Sequence, residues 1–447
     1  RLYRAALEHA DEPATQGRLH LAAARAANVA GDYPAAVEHA SQSAAAFDAI
    51  DAEIDAGMAV GLQCIYMVRG STIAGAIDVA RPRWDALVTQ TGAERALVQL
   101  AAGLSMALQD RGELEEAFDF GQRQLMLAEA TGDQESVAYA LNALGLLYGI
   151  RGAPITSRGL TTLAAQIAKE NDLPVILALA LNNLGSMLVS RDLPAAIRVV
   201  QEGLEVARRA STAFHIDYTT FNYLSALWNA GRLTDLRVGL IDARETVTAR
   251  IIAAGLVCLQ NRLAEALGEP LPPIADMAGM GGENDTATRI DMEIGHAMAD
   301  GDASRAAALA EQSLPHLMAA MGIDDDFVTM WPPLVEAALA TGDVALTERR
   351  MAPVETAPAS IVSPGVRAHW LRLRGQLGAL RGDDPATVET DLRAGIAELD
   401  AYGAVGYRAR AQEELGRWLI SQGRGAEATP LLDEARATYE EIGAAGW

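Results

Sequence analysis

Gly31-Asp32-Tyr33-Pro34-Ala35-Ala36 returns as Arg191-Asp192-Leu193-Pro194-Ala195-Ala196, 160 residues further along the chain and thus four steps of 40. Similar turn sequences stand at Gly70, Gly112, Gly152, Gly231, Gly268, Gly301, Gly342, Gly382 and Gly423, at spacings of 33 to 42 residues. A period in this range, kept along the whole chain, marks a repeat array rather than separate globular domains. Each turn has a local cause. Glycine accepts the left-handed backbone that ends a helix. The aspartates that follow (Asp32, Asp302, Asp343, Asp383) can accept hydrogen bonds from the free amides of the next helix. Pro34, Pro194 and Pro385 sit near a helix start, where a missing N–H costs little.

Between the turns the apolar pattern is helical. Leu141, Leu144, Gly145 and Tyr148 fall at i, i+3, i+4, i+7, and Leu181, Leu184, Gly185 and Leu188 repeat the pattern forty residues on. No stretch alternates with period two. The expected fold is therefore all-α, a solenoid of about eleven helix hairpins. Each helix has roughly 17 residues and is about 26 Å long. Small residues at Gly145, Gly185, Ala117 and Ala428 would let helices cross closely. One segment breaks the rhythm: 268–285, GEPLPPIADMAGMGGEND, is rich in Pro, Gly and Met. It divides the chain into two expected blocks of repeats, 1–267 and 286–447, and the helix after Gly268 should be short or missing. A weaker break runs from Ala352 to Pro364.

The chain has 447 residues, half of them hydrophobic, so a large core is available. Lys and Arg number 36 against 59 Asp and Glu, a net charge of -23. Such a surface repels phosphate backbones, and direct nucleic-acid binding is not expected. No run of apolar residues is long enough for a transmembrane helix. The two cysteines, Cys64 and Cys258, lie far apart among apolar neighbours and read as core thiols of a cytoplasmic protein. Lys169 is the only lysine and is followed by Glu170, so the Gly-Lys-Ser/Thr of a phosphate-binding loop is absent. The seven histidines include no i, i+4 pair, and Asp324-Asp325-Asp326 lacks the alternating ligands of a calcium loop. No catalytic residue, metal or cofactor is assigned.

Leu415-Gly416, Leu419, Gly423, Ala428, Leu432 and Ala435 stand at the spacing of the tetratricopeptide consensus. Leu144-Gly145, Tyr148 and Gly152 match its first helix, as do Leu184-Gly185 and Leu188. The period is longer than the usual 34 residues. ALNALGLLYGIRG (Ala140 to Gly152) resembles the repeats of kinesin light chains and bacterial signalling ATPases. The opening, from LYRAALEHADEP onward, is similar to the junction behind the ATPase module of STAND-type regulators. Those occur in LuxR-type, MalT-like transcription activators and in class III adenylate cyclases. The ending, LLDEARATYEEIGAAGW, resembles the last repeat of such proteins. The resemblance implies a fragment: a sensor or scaffold arm that regulates an ATPase elsewhere in a longer chain. A stand-alone adaptor for protein–protein interaction is the alternative, and an α-solenoid enzyme a further one.

In stacked hairpins the first helices line the concave face. Asn142, Asn182 and Asn222 recur every 40 residues, two positions before the consensus packing leucine. A ladder of carboxamides could bind the backbone of an extended peptide. The alternative is that each Asn bonds the neighbouring repeat and fixes its geometry. The same register adds Tyr139, Leu146, Ser186, Thr219 and Asn229 to the candidate groove. Their mixed polarity suits a protein, peptide or small-molecule inducer better than a polyanion. Arg410, Glu413 and Arg417 read as a solvated ion-pair face, and the methionines around the irregular segment as gap-filling core.

Overall fold

The computed structural model describes residues 2–7, 9–70, 75–210, 213–247, 250–274, 283–321, 323 and 327–447. Every regular element among them is helical. A short α1 (Leu2–Leu7) precedes the hairpins. The first four pairs are α2 (Pro13–Val29) with α3 (Tyr33–Asp48), α4 (Glu53–Arg69) with α5 (Ala76–Leu87), α6 (Glu94–Asp110) with α7 (Leu114–Thr131) and α8 (Gln134–Ile150) with α9 (Pro154–Glu170). Two more are α10 (Pro174–Val189) with α11 (Leu193–Ala210) and α12 (Ala213–Asn229) with α13 (Leu233–Thr246). After a lone α14 (Arg250–Leu267) come α15 (Glu283–Ala299) with α16 (Ala303–Met321) and α17 (Phe327–Ala340) with α18 (Val344–Thr356). The last two are α19 (Pro364–Arg381) with α20 (Pro385–Tyr402) and α21 (Val405–Ser421) with α22 (Gly425–Ile442).

The turns work largely as their residues dictate. Gly31, Gly112, Gly152, Gly231, Gly301, Gly342, Gly382 and Gly423 all have φ between 72° and 78°. Gly70 does not: at φ -85° it continues the right-handed backbone. Asp32, Asp302 and Asp343 accept from the amides of Ala35, Arg305 and Leu346 at 2.9 to 3.2 Å. At the fourth site the cap is Asp384, which takes the Thr387 amide, while Asp383 is drawn to the Arg381 guanidinium. Of eleven expected hairpins, ten are complete among the described residues. After Gly268 the prolines of GEPLPP remove backbone donors, and residues 269–273 form no helix, while α14 packs on α13 and α15. Residues 275–282, at the centre of the irregular segment, lie outside the described residues, as do Asp324-Asp325-Asp326, Met277 and Met280.

The chain forms two compact units, Arg1–Asn183 with Glu205–His215, and Leu184–Leu204 with Ile216–Trp447. In the first, successive first helices α4 and α6 pack on each other and on α5 and α7. Leu87, Leu100, Leu104 and Leu108 are wholly buried there, each contributing about 1.5–3 kcal/mol over exposure. Close crossings need glycine. A Cβ at Gly61 would stand 2.7 Å from the Leu100 backbone nitrogen, and one at Gly145 would stand 2.6 Å from the Thr161 hydroxyl.

The second unit closes on itself. The turn after α10 receives the Gly365 amide at Ser190 O (2.9 Å), and the Tyr402 hydroxyl donates to Val189 O. The turn at Gly231 lies against Gly406, where a Cβ on Gly231 would be 2.9 Å from the Gly406 nitrogen. The end of α14 receives the Gly446 amide at Ala266 O (2.9 Å). Thus the chain segment 443–447 packs against the end of α14. Trp447 fastens it, with edge contacts to Trp228 (5.8 Å between centroids) and Tyr439 (6.2 Å).

Candidate functional site

A cavity of about 570 Å³ opens in the first unit. Its wall is built almost wholly from first helices: α2, α4, α6, α8 and the start of α10, with His215 at one end. The hairpin stack causes this, because each second helix is spent on packing its own repeat. The size lies within the range of small-molecule and short-peptide sites. Met58, Leu62, Ile65, Val98, Ile176 and Leu179 supply an apolar floor. Arg25, Arg69 and Arg95 come to it from three successive first helices.

Arg69 is held in place. Its guanidinium donates to Asn28 Oδ1 at 3.0 Å and to the Tyr139 hydroxyl at 3.4 Å, and Tyr139 in turn reaches Met106 Sδ. Burial pushes the Tyr66 hydroxyl pKa up, and Arg69 and Arg25 pull it the other way, so both cations lie near its ring. Burial, aided by Arg69, depresses His215 to about 4, which keeps its imidazole neutral at ordinary pH. Arg25 and Arg95 make no ion pair among the described residues. Gln124 is 1 % exposed, and its Oε1 accepts no hydrogen bond there. Asp133 and Glu135 stand on the rim, at the start of α8, where the Ser136 hydroxyl already donates to Asp133.

Of the residues picked from the sequence, Tyr139 lines this cavity. Asn142 and Asn182 are buried beside it in the same unit and joined through Asn183. The Asn183 amide donates to Asn142 Oδ1 at 3.1 Å, and Asn182 donates to Asn183 Oδ1 at 3.2 Å. Leu146 is half-buried further along α8 and away from the cavity wall. The other four belong to the second unit. Ser186 and Asn222 are half-buried, and Thr219 is buried with no partner for its hydroxyl among the described residues. Asn229 is buried, donating to Ser225 O and to the Thr329 hydroxyl, both at 2.9 Å. The cavity face of α8 runs through Glu135, Ser136 and Tyr139, one to two turns before Asn142. Asn142 lies further along that same face, where Asn183 of α10 takes its carboxamide oxygen, so it faces the neighbouring helix instead of the cavity. The three arginines occupy different positions in their repeats, so no sequence period marks them. A usable signal was their presence on consecutive first helices of an acidic chain.

The interior of the second unit is a different kind of place. Arg262 forks onto both Asp291 oxygens (2.8 and 3.2 Å), donates to Thr329 O, and shares Asp291 with the Cys258 thiol at 2.6 Å. Arg372, wholly buried, bonds Glu336 and, at 3.0 Å, Glu414; Arg410 takes the other Glu336 oxygen at 3.2 Å. Arg410 therefore belongs to this interior network, and the exposed ion pair expected of the C-terminal face is Arg417–Glu413 alone. Burial pushes the Glu336 carboxyl up, but Arg410 and Arg372 outweigh it and hold it down at about 2. Around these groups only about 100 Å³ is left, room for a few water molecules.

Among the described residues no helix is long and apolar enough to cross a membrane. Ten hairpins with small residues at their crossings define a tetratricopeptide-like α-solenoid. Residues 408–442, in α21 and α22, match the tetratricopeptide repeat family. No curated protein matches the chain. Among solved structures it is similar to a Rap protein complexed with competence and sporulation factor, at 10% identity and a TM-score of 0.44, covering 97% of this chain and 99% of that one. It is also similar to the apo form of the quorum sensor NprR from B. thuringiensis, at 11% identity and a TM-score of 0.39, covering 88% of this chain and 99% of that one.

Proposed function

We propose that this chain is a binding module whose first unit takes a peptide or small organic inducer. The observation that carries the reading is the 570 Å³ cavity walled by five consecutive first helices. A ligand there touches several repeats at once, so it binds most tightly to one relative arrangement of them. Occupancy then shifts the population of arrangements, and an attached effector can read the shift. In this proposal the effector is the ATPase of a bacterial STAND-type signalling protein, either a transcription regulator or an adenylate cyclase. The module works in the cytoplasm, a placement supported by the free thiols of Cys64 and Cys258. Segment 268–285 separates two blocks of repeats, 1–267 and 286–447, a division supported by the non-helical stretch 269–273 after α14.

Affinity capture tests the binding reading. Purified wild-type protein and Leu62→Arg, which drives a long cation into the cavity floor, are exposed to a bacterial extract. Bound peptides and metabolites are read by mass spectrometry. Ligands retained by wild type and lost by the folded variant support the cavity; identical capture by both contradicts it. The gene sequence upstream of Arg1 tests the parent: a phosphate-binding loop supports the signalling ATPase, and a start codon directly before Arg1 supports the stand-alone adaptor.

A further inference from the structure

We infer that the first unit's cavity selects a carboxylate carried on an apolar body with an N–H donor beside it. The inference rests on the binding reading above and names the ligand class. Its chemistry is that of an N-acyl amino acid, whether as the C-terminus of a short peptide or as a free lipid-like acid.

Charge comes first. In a chain with a net charge of -23, arginines normally find carboxylates, and much of this protein shows it. Arg262, Arg372 and Arg410 are all paired in the second unit. Yet Arg25 and Arg95 stand at the cavity with no ion pair among the described residues, flanking Arg69. Arg69 is preset by Asn28 and Tyr139, so little side-chain freedom remains to be lost when an anion arrives. Guanidinium groups match a carboxylate with two parallel donors. The rim acids do not cancel them: Asp133 and Glu135 are exposed to solvent, and three cations face two anions. His215 adds no charge, because it is held neutral.

The second observation is independent of charge. Gln124 Oε1 is buried at the cavity and accepts nothing among the described residues. An orphaned buried acceptor costs free energy, and a ligand N–H would relieve it. The third is the apolar floor of Leu62, Ile65 and Leu179, which a purely polar anion would leave uncovered.

The probes are acetyl-trileucine and N-octanoyl-leucine, each as free acid and as primary amide, titrated calorimetrically into the full chain. The acids should bind about tenfold more tightly than the amides, the worth of one charged hydrogen-bonded pair. Raising the salt should narrow that gap. Arg25→Gln with Arg95→Gln should close most of it, while Arg25→Lys with Arg95→Lys should keep it; both pairs lie on exposed positions and leave the fold intact. Gln124→Leu should weaken acid and amide alike, by about fivefold. The tighter of the two acids tells peptide from free acid as the source. Equal binding of acids and amides, unmoved by the Gln variants, overturns the anion inference and leaves the binding reading standing. No saturable binding of either acid overturns the inference, and the capture experiment with Leu62→Arg then decides the binding reading by itself.

Discussion

Replacing Gly185 by alanine should destabilise the protein, although the same change at Gly159 should stabilise it. A Cβ on Gly185 would lie 2.1 Å from Val200 Cγ2 and 3.3 Å from both Val200 Cβ and its backbone nitrogen. Val200 is fully buried and, being β-branched in a helix, has one strongly preferred rotamer. Turning its methyl away does not move the Cβ or the nitrogen, so α10 and α11 must part. Overpacking of this kind costs about 1–3 kcal/mol, against about 1 kcal/mol gained from alanine's helix propensity. The net expectation is a loss of up to about 2 kcal/mol. Gly159 lies on an exposed face of α9 with nothing within 4 Å of its virtual Cβ, so only the propensity gain of about 0.5–1 kcal/mol remains. Urea titration followed by circular dichroism gives the global values. Hydrogen exchange of the α10 and α11 amides localises the Gly185 effect. Val200→Ala added to Gly185→Ala should cost at least about 1 kcal/mol less than the two single losses together. Equal responses at Gly185 and Gly159, or simple additivity with Val200→Ala, would refute close helix approach as the reason for the glycine.

Glu336→Gln should cost about 3–5 kcal/mol in urea titration, because Arg410 loses its interior carboxylate and Arg372 keeps only Glu414; a loss below about 1 kcal/mol would speak against a buried network. The protein should lose stability in acid. Burial holds His369 at about 3 and His215 at about 4, both below the ordinary 6.5, so the unfolded chain takes up their protons first. Stability is then complete above about pH 6.5 and falls as the pH drops toward those values, by about 3 kcal/mol for His215 alone. Glu336, held at about 2, adds a loss in the same direction below its ordinary 4.5. His369→Phe, which keeps the edge contact with Tyr407, should flatten the slope between pH 6 and 4; an unchanged slope contradicts this origin. Trp447→Ala should release segment 443–447, seen as faster hydrogen exchange at the end of α14 with the first unit unchanged.

The helix hairpins were legible because their signals are local and repeated. A glycine at positive φ, an aspartate three residues before a free amide, and an apolar 3.6-residue period act within one repeat. Gly70 and Asp383 show the limit even there. A neighbouring residue, Asp384 in the second case, can take the role when its geometry is better. The non-helical stretch after α14 was legible for the same reason, from three prolines and the glycines around them. What covers α14 was not, because Gly446 and Ala266 meet only through the closure of the whole unit. The candidate site divides the same way. Tyr139 could be placed because its helix register follows from its own repeat. The asparagine ladder has a clear period, but period alone does not say whether a residue at a helix flank looks into the cavity or into the next repeat. Arg25, Arg69 and Arg95 sit at unlike positions of their repeats, so only the folded stack brings them to one wall.

A crystal structure of the protein with acetyl-trileucine decides whether the first unit's cavity is a binding site. Ligand density is expected in the first unit, with its carboxylate beside Arg69 and its leucines over Leu62 and Leu179. Ligand bound only on the outer second helices, with the cavity left empty, would contradict it.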